Sequence, residues 1–182
     1  IKLRKPRRAR DGREKSLEPR DSRKGAVHVA RALGRKAEDA LGKLNLNEAI
    51  QFFSEKGTKA VLITNGSNPV QLFSDGSLFR KLDIAEMPVS AAVSEELKKG
   101  HSGDTTGCGD NFVGGVIASL VKQLQAGMDK LDLQEACTWG IISGGYTCFY
   151  VGGTFMEEYS GEKLKLIRPY YDHYKNQIGN GK

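Results

Sequence analysis

The chain has 182 residues and a net charge of +6, from 28 Lys and Arg against 22 Asp and Glu. With 38% apolar and 27% charged residues it reads as globular, and it is long enough for one domain with a sizeable core. No apolar run approaches the ~20 residues that span a bilayer, and the basic opening "IKLRKPRRAR" has no apolar segment behind it, so neither a membrane span nor a secretory signal is expected.

The charge is lopsided. Residues 1–25 hold 11 Lys and Arg against 4 Asp and Glu, which leaves 17 against 18 for the rest. Residues 1–25 are therefore read as a basic leader, disordered and dispensable, and residues 26–182 as the domain. A basic arm can bind nucleic acid or an anionic surface. This one offers bases almost nothing aromatic to stack on, so a solvated tail is the preferred reading and nucleic acid is disfavoured as a partner.

Residues 26–58 read as helical, being dense in Ala, Leu, Glu and Lys. "LNLNEAIQFFSEKG" places Leu46, Ile50 and Phe53 on one face and stops at Gly57. "KAVLIT", residues 59–64, is a short unbroken apolar run and reads as a buried strand of the parallel type. "NGSNP" turns the chain. "VQLF" and "LFRKL" alternate around "SDGS" and read as a β-hairpin. A short helix is expected at "SEELKK".

From Asn111 onward, Phe112, Val113, Val116, Ile117, Leu120, Val121 and Leu124 follow helical spacing. Gly114, Gly115, Ala118 and Ser119 form a small-residue flank suited to close packing on a sheet. Asp132 with Glu135 makes a capping-box-like start for a second helix, "LQEACTWGIISGGYTCFYV". Gly144 and Gly145 would weaken that helix unless another backbone packs close. "RPYYDHYK" reads as a last helix lying partly on the body. Helices alternating with strands point to an α/β fold. Trp139 is read as core, and His28, His101 and His173 as scattered residues without a metal. Cys108, Cys137 and Cys148 lack metal spacing and read as thiols in a reducing, cytoplasmic setting. Two of them are read as small buried side chains; Cys108 is the exception, lying inside a glycine loop.

That loop, "GDTTGCGDNF" at residues 103–112, carries the chemistry. Small residues running into a helix N-terminus suit an anion, because the first N–H groups lack intrahelical partners and the helix dipole points its positive end there. An aspartate in such a loop repels phosphate. It makes sense as a base on an alcohol that attacks the phosphate. The structural alternative is that Asp110 caps the helix. A Walker A loop is absent, and a dinucleotide fingerprint fails because Phe112 stands where the third glycine belongs.

"DTTGCGDNFVGGVIASL" resembles the C-terminal signature of the ribokinase-like (PfkB-type) carbohydrate kinases, D-T-x-G-A-G-D followed by an apolar helix, through Asp104, Thr105, Gly107, Gly109 and Asp110. Cys108 replaces the usual alanine. "VLITNGSN" resembles the family's T-x-G-x-x-G nucleotide-binding strand and turn through Thr64 and Gly66, with Pro69 at the last glycine. "GGYTCFYVGGT" is similar to the segment that lines the adenine pocket and a monovalent-cation site. The resemblance covers roughly residues 36–175. It implies the C-terminal part of a three-layer ribokinase-like fold, without the N-terminal sugar-binding half and lid. It implies that Asp110 is the general base and that the N–H groups of Gly107, Cys108 and Gly109 form the anion hole. Thr64, Gly66, Gly109 and Gly152 would contact ATP. Asp104 and Thr106, with backbone of Tyr150 and Gly152, would lie near a monovalent cation such as K+. Mg2+ would bridge the phosphates, with Glu38 as a candidate ligand and Arg35 at the family's Asn position. Ile141 stands where the family often has a polar adenine contact. The implied activity is ATP-dependent phosphorylation of a sugar or related alcohol, with a homodimer as the candidate assembly. The alternative is a nucleotide-binding remnant without activity that serves as an interaction module.

Overall fold

In the computed structural model, residues 28–29, 46–101, 103–153 and 155–179 are described. The basic leader, Arg35 and Glu38 lie outside them. Among the described residues, four strands form one sheet in the order β1-β2-β3-β4: β1 His28–Val29, β2 Ala60–Asn65, β3 Asn68–Ser74 and β4 Leu82–Met87. Among the described residues, five helices accompany them: α1 Leu46–Glu55, α2 Ala91–Lys98, α3 Cys108–Gln125, α4 Leu133–Thr147 and α5 Glu162–Gly179.

The apolar run of β2 is unbroken because both of its faces are covered. Side chains of a strand alternate between faces. Val61 and Ile63 pack with Ala49 and Ile50 of α1. Ala60 and Leu62 belong to the main core, shared with Val70, Leu72 and the helices α3 to α5. Full burial of each such side chain contributes roughly 1.5–3 kcal/mol. Helices therefore cover the sheet on both sides, and the mixed α/β expectation holds.

Several expectations are corrected. β2 pairs in parallel with β1 but antiparallel with β3, so only one of its neighbours is of the expected type. The stretch from residue 26 is not helical throughout, since His28–Val29 is a strand and the described helix begins at Leu46. The tight hairpin is the one through Gly66 and Ser67, where Asn65 pairs with Asn68. β3 pairs instead with residues 82–87, and "LFRKL" lies mostly in the connection. Its Phe79 is fully buried through a parallel bridge to Leu131, and the Arg80 N–H donates to the Leu131 carbonyl at 2.9 Å. That distant pairing overrides the local hairpin signal.

Within the small-residue flank of α3, Gly115 meets a helix rather than the sheet, while Gly114 and Ala118 are exposed. A Cβ on Gly115 would sit 2.4 Å from the Trp139 carbonyl, and one on Gly140 2.8 Å from Val116. One on Gly144 would sit 2.7 Å from the Cys108 carbonyl, so the close backbone expected at Gly144 is that of α3, whereas Gly145 meets only the Val93 side chain of α2. Asp132 caps α4 as expected, accepting the Glu135 N–H at 2.9 Å. The helix stops at Thr147, before the expected "CFYV". Tyr174 of α5 is fully buried, and its hydroxyl donates to the Pro88 carbonyl at 2.6 Å. Trp139 is half-buried rather than core, stacked on Tyr171 with ring centroids 4.2 Å apart.

Adjacent glycines of α3 give opposite expectations. Gly115→Ala forces α3 off α4 and is expected to cost about 1–3 kcal/mol, as overpacking does. Gly114→Ala meets nothing within 4 Å, and it gains up to about 1 kcal/mol of helix propensity. Urea midpoints of the two variants, moving in opposite directions around the parent, check the crossing.

Candidate active site

The glycine loop is held by backbone before any side chain acts. The Gly103 N–H donates to the Cys148 carbonyl at 2.8 Å, and the Asp104 N–H to the Tyr150 carbonyl at 3.1 Å. A Cβ on Gly103 would lie 2.1 Å from the Tyr150 backbone, which leaves no room for one. The loop thus runs against the segment that leaves α4. It ends at Gly107, the N-cap of α3, whose φ of 71° is left-handed and suits glycine. Helix α3 starts at Cys108, three residues ahead of the periodic apolar pattern. Asp110 is its third residue and is exposed. A negative charge in a first turn is stabilised by the helix dipole by about 0.3–1 kcal/mol.

Asp104 staples the turn. One carboxylate oxygen accepts the Thr106 N–H at 2.8 Å and the other accepts the Gly152 N–H at 3.4 Å. The Thr106 bond, chiefly, holds its carboxyl below the ordinary value of 3.8. A lowered folded value gives stability that is whole above the unfolded value and is lost as pH falls through the folded one. The melting-temperature gap between the parent and Asp104→Asn is therefore expected to be constant near neutrality and to close below pH 3.8. A gap that persists at the acid end would assign the loss to shape rather than charge.

Two residues that the sequence reading did not single out complete the arrangement. Asn111 donates from Nδ2 to the carbonyls of Gly107 at 2.9 Å and Gly153 at 3.0 Å, clamping loop to segment. Its Oδ1 accepts from the ammonium of Lys163, near the start of α5. Lys163 is half-buried. Desolvation lowers its pKa, against the opposing fields of Glu157 and Cys108. Asn111 directly follows Asp110 and could have been noticed; Lys163 is 52 residues further on and carries no local signal.

Asp110, Asn111, Gly153, Lys163 and Trp139 line one open groove of about 570 Å3, a volume within the usual small-molecule range of ~300–1,000 Å3. The structure brings Asp104, Thr106, Gly107, Cys108, Gly109, Asp110 and Gly152 together in one loop-and-segment unit. Thr64 and Gly66 stand apart at the end of β2 and its turn, and neither lines this groove. Ile141 is buried in the core on α4. Among the described residues, no group of three or more His, Cys, Asp or Glu could hold a metal ion. Among them, too, no helix is long and apolar enough to cross a membrane.

Residues 25–158 match the sequence pattern of the family described as "pfkB family carbohydrate kinase". The chain belongs to the pfkB family of carbohydrate kinases. No curated protein is similar enough to count as a match. Among solved structures, this pfkB-family chain is 18% identical to a ribokinase from Thermotoga maritima, with a TM-score of 0.47 over 80% of the chain and 38% of the ribokinase. It is 20% identical to an adenosine kinase from Schistosoma mansoni in complex with 2-fluoroadenosine, with a TM-score of 0.41 over 54% of the chain and 24% of that kinase. With an adenosine kinase from Anopheles gambiae the identity is 26% and the TM-score 0.35, over 58% of the chain and 24% of that kinase. The chain thus spans 24% to 38% of the length of these three proteins.

Proposed function

We propose that this chain carries the phosphoryl-transfer machinery of an ATP-dependent kinase that acts on a hydroxyl of a sugar or related alcohol. One observation carries the reading: a carboxylate, the opening turn of a helix and a half-buried ammonium share one groove, as Asp110, the start of α3 and Lys163. Phosphoryl transfer asks for those parts, a base for the hydroxyl proton and fixed positive charge around the phosphoryl oxygens.

In this reading Asp110 takes the proton from the acceptor hydroxyl. The N–H groups of Gly107, Cys108 and Gly109 are assigned to the anionic group, that of Cys108 by leaving the Thr105 carbonyl it meets at 3.3 Å, and the loop is held before reaction by the Asn111 clamp and the Asp104 staple. The Lys163 ammonium adds a charge that desolvation makes more effective than it would be in water. ATP supplies the activated phosphoryl group and Mg2+ offsets its charge. The ion fits a site built mainly on phosphate oxygens, since Mg2+ commonly keeps its waters and takes only one or two carboxylates. Thr64, Gly66 and Gly152 are assigned to the nucleotide, and Asp104 with Thr106 to a monovalent cation such as K+. Asp104 already accepts two N–H groups there, but a carboxylate offers about four lone-pair sites.

Calorimetry with millimolar Mg-ATP, followed by turnover assays on a panel of sugars and nucleosides, tests the reading. Binding heat with ATP-dependent phosphorylation of at least one alcohol is the expected result. Heat without turnover selects the nucleotide-binding remnant, and a folded chain that gives neither overturns both.

A further inference from the structure

Cys108 and Cys148 are 40 residues apart in sequence, yet their sulfurs lie 3.1 Å from one another. Neither is deeply buried, whereas Cys137 is fully buried and its thiol is pushed up to about 12 by desolvation. Cys108 is the first residue of α3 and Cys148 the C-cap of α4. Their approach is set by backbone rather than by loose rotamers. Gly144 lies too close to the Cys108 carbonyl to accept a Cβ, and the Cys148 carbonyl receives the Gly103 N–H. We propose that Cys108 and Cys148 are a redox modification site, a dithiol that hydroperoxides close to a disulfide and small thiols reopen.

The surroundings suit the chemistry. A thiol at a helix N-terminus forms the reactive thiolate more readily, and Cys108 is the first residue of α3. The Cys108 thiolate attacks one peroxide oxygen. The O–O bond breaks, the sulfur becomes a sulfenic acid and the departing hydroxide takes a proton to leave as water. The Cys148 sulfur then attacks the sulfenic sulfur, the S–O bond breaks, a second water leaves and the S–S bond forms. Two thiols lose two protons and two electrons, and hydrogen peroxide becomes two waters. Reopening is thiol–disulfide exchange, with two small thiols oxidised to their own disulfide. A formed bond needs the sulfurs at about 2.05 Å, so closure draws the first residue of α3 and the end of α4 together by about 1 Å, beside the loop that the Asp104 staple holds. Resting on the kinase reading, the linked form is expected to bind Mg-ATP about tenfold more weakly, since a shift near 1 Å takes loop N–H groups out of hydrogen-bond range of the phosphate oxygens.

The test treats the purified full chain with hydrogen peroxide, unfolds and alkylates it, and reads intact mass and linked peptides. The expected result is the loss of two hydrogens, a 108–148 linked peptide, alkylation of Cys137 alone, and full reversal by dithiothreitol. Cys137→Ser should keep the link and Cys148→Ser should abolish it. Three alkylated cysteines after peroxide, or oxygen adducts without the linked peptide, would overturn the proposal. An unchanged Mg-ATP affinity in fully linked chain would overturn its coupling to the loop. Failure of the reduced chain to bind Mg-ATP counts against the kinase reading only, because the mass result is independent of it.

Discussion

Asp110→Asn is expected to lower phosphoryl-transfer turnover by about 10²–10⁴-fold, the range that general-base assistance provides. The substitution keeps the shape of the side chain and its place as the third residue of α3. What it removes is the proton acceptor. Mg-ATP affinity should change little, because the N–H groups of the loop are backbone and the Lys163 ammonium donates to Asn111. The dipole contribution lost with one exposed charge in a first turn is ~0.3–1 kcal/mol. The pattern to look for is therefore a fall in kcat with a nearly constant binding constant and melting temperature. Asp104→Asn should give the reverse, a loss of stability confined to pH values where the parent carboxyl is ionised. Near-normal turnover in Asp110→Asn would reduce Asp110 to a charge that favours the helix.

The sequence made some of this legible and hid the rest for identifiable reasons. The helix from Cys108 to Gln125 could be read because its apolar positions repeat at helical spacing. Only its start was misplaced, since Cys108, Gly109 and Asp110 carry no apolar period. The cap at Asp132 was legible because a capping box is a local device. The strand at residues 60–65 was legible as buried, and its two covered faces explain why it does not alternate. The hairpin expected around "SDGS" failed because a local turn signal competed with a pairing between Phe79 and Leu131 that no short window contains. The small-residue flank of α3 was read as a place for close packing on a sheet; Gly115 is such a place, but its partner is α4, and Gly114 packs on nothing. Small residues announce a close approach without saying what approaches. The loop motif named Asp104, Gly107, Gly109 and Asp110, all within seven residues. Asn111, Lys163 and the Cys108–Cys148 contact are products of the tertiary fold, in which the segment after α4 and the start of α5 come back beside the loop.

That return explains why the site is built at a crossing of helices. Gly115 and Gly144 let α3 and α4 approach until main chain meets main chain, and Gly140 makes room for the Val116 and Phe112 side chains. Interiors are close-packed and transmit displacement, so a helix pair in such contact cannot shift at one end alone. The loop that opens α3 and the segment that closes α4 consequently share hydrogen bonds, through Gly103, Asp104 and Asn111. The groove chemistry inherits its rigidity from glycines that take no part in it.

Gly107→Ala tests that dependence with the largest expected loss of stability. Two costs fall on one residue. Its φ of 71° is left-handed, which costs a residue with a Cβ about 1–2 kcal/mol. The new Cβ would also stand 1.9 Å from the Gly153 carbonyl oxygen and 2.6 Å from its carbon. Both are backbone atoms that cannot rotate away, so the loop or the segment must move, at a further ~1–3 kcal/mol. Either movement breaks the pair of bonds by which Asn111 holds Gly107 and Gly153 together. Gly66→Ala supplies the comparison. Gly66 has a φ of 56°, but nothing lies within 4 Å of the position a Cβ would take. It should lose only the backbone cost, about 1–2 kcal/mol. Urea unfolding with a common m-value measures the difference. Gly107→Ala is expected to be the less stable by ~1–3 kcal/mol and to lose its Mg-ATP heat even where it remains folded. Equal losses in the two variants would mean that Gly107 does not lie against Gly153, and the clamp that positions the loop would have to be abandoned.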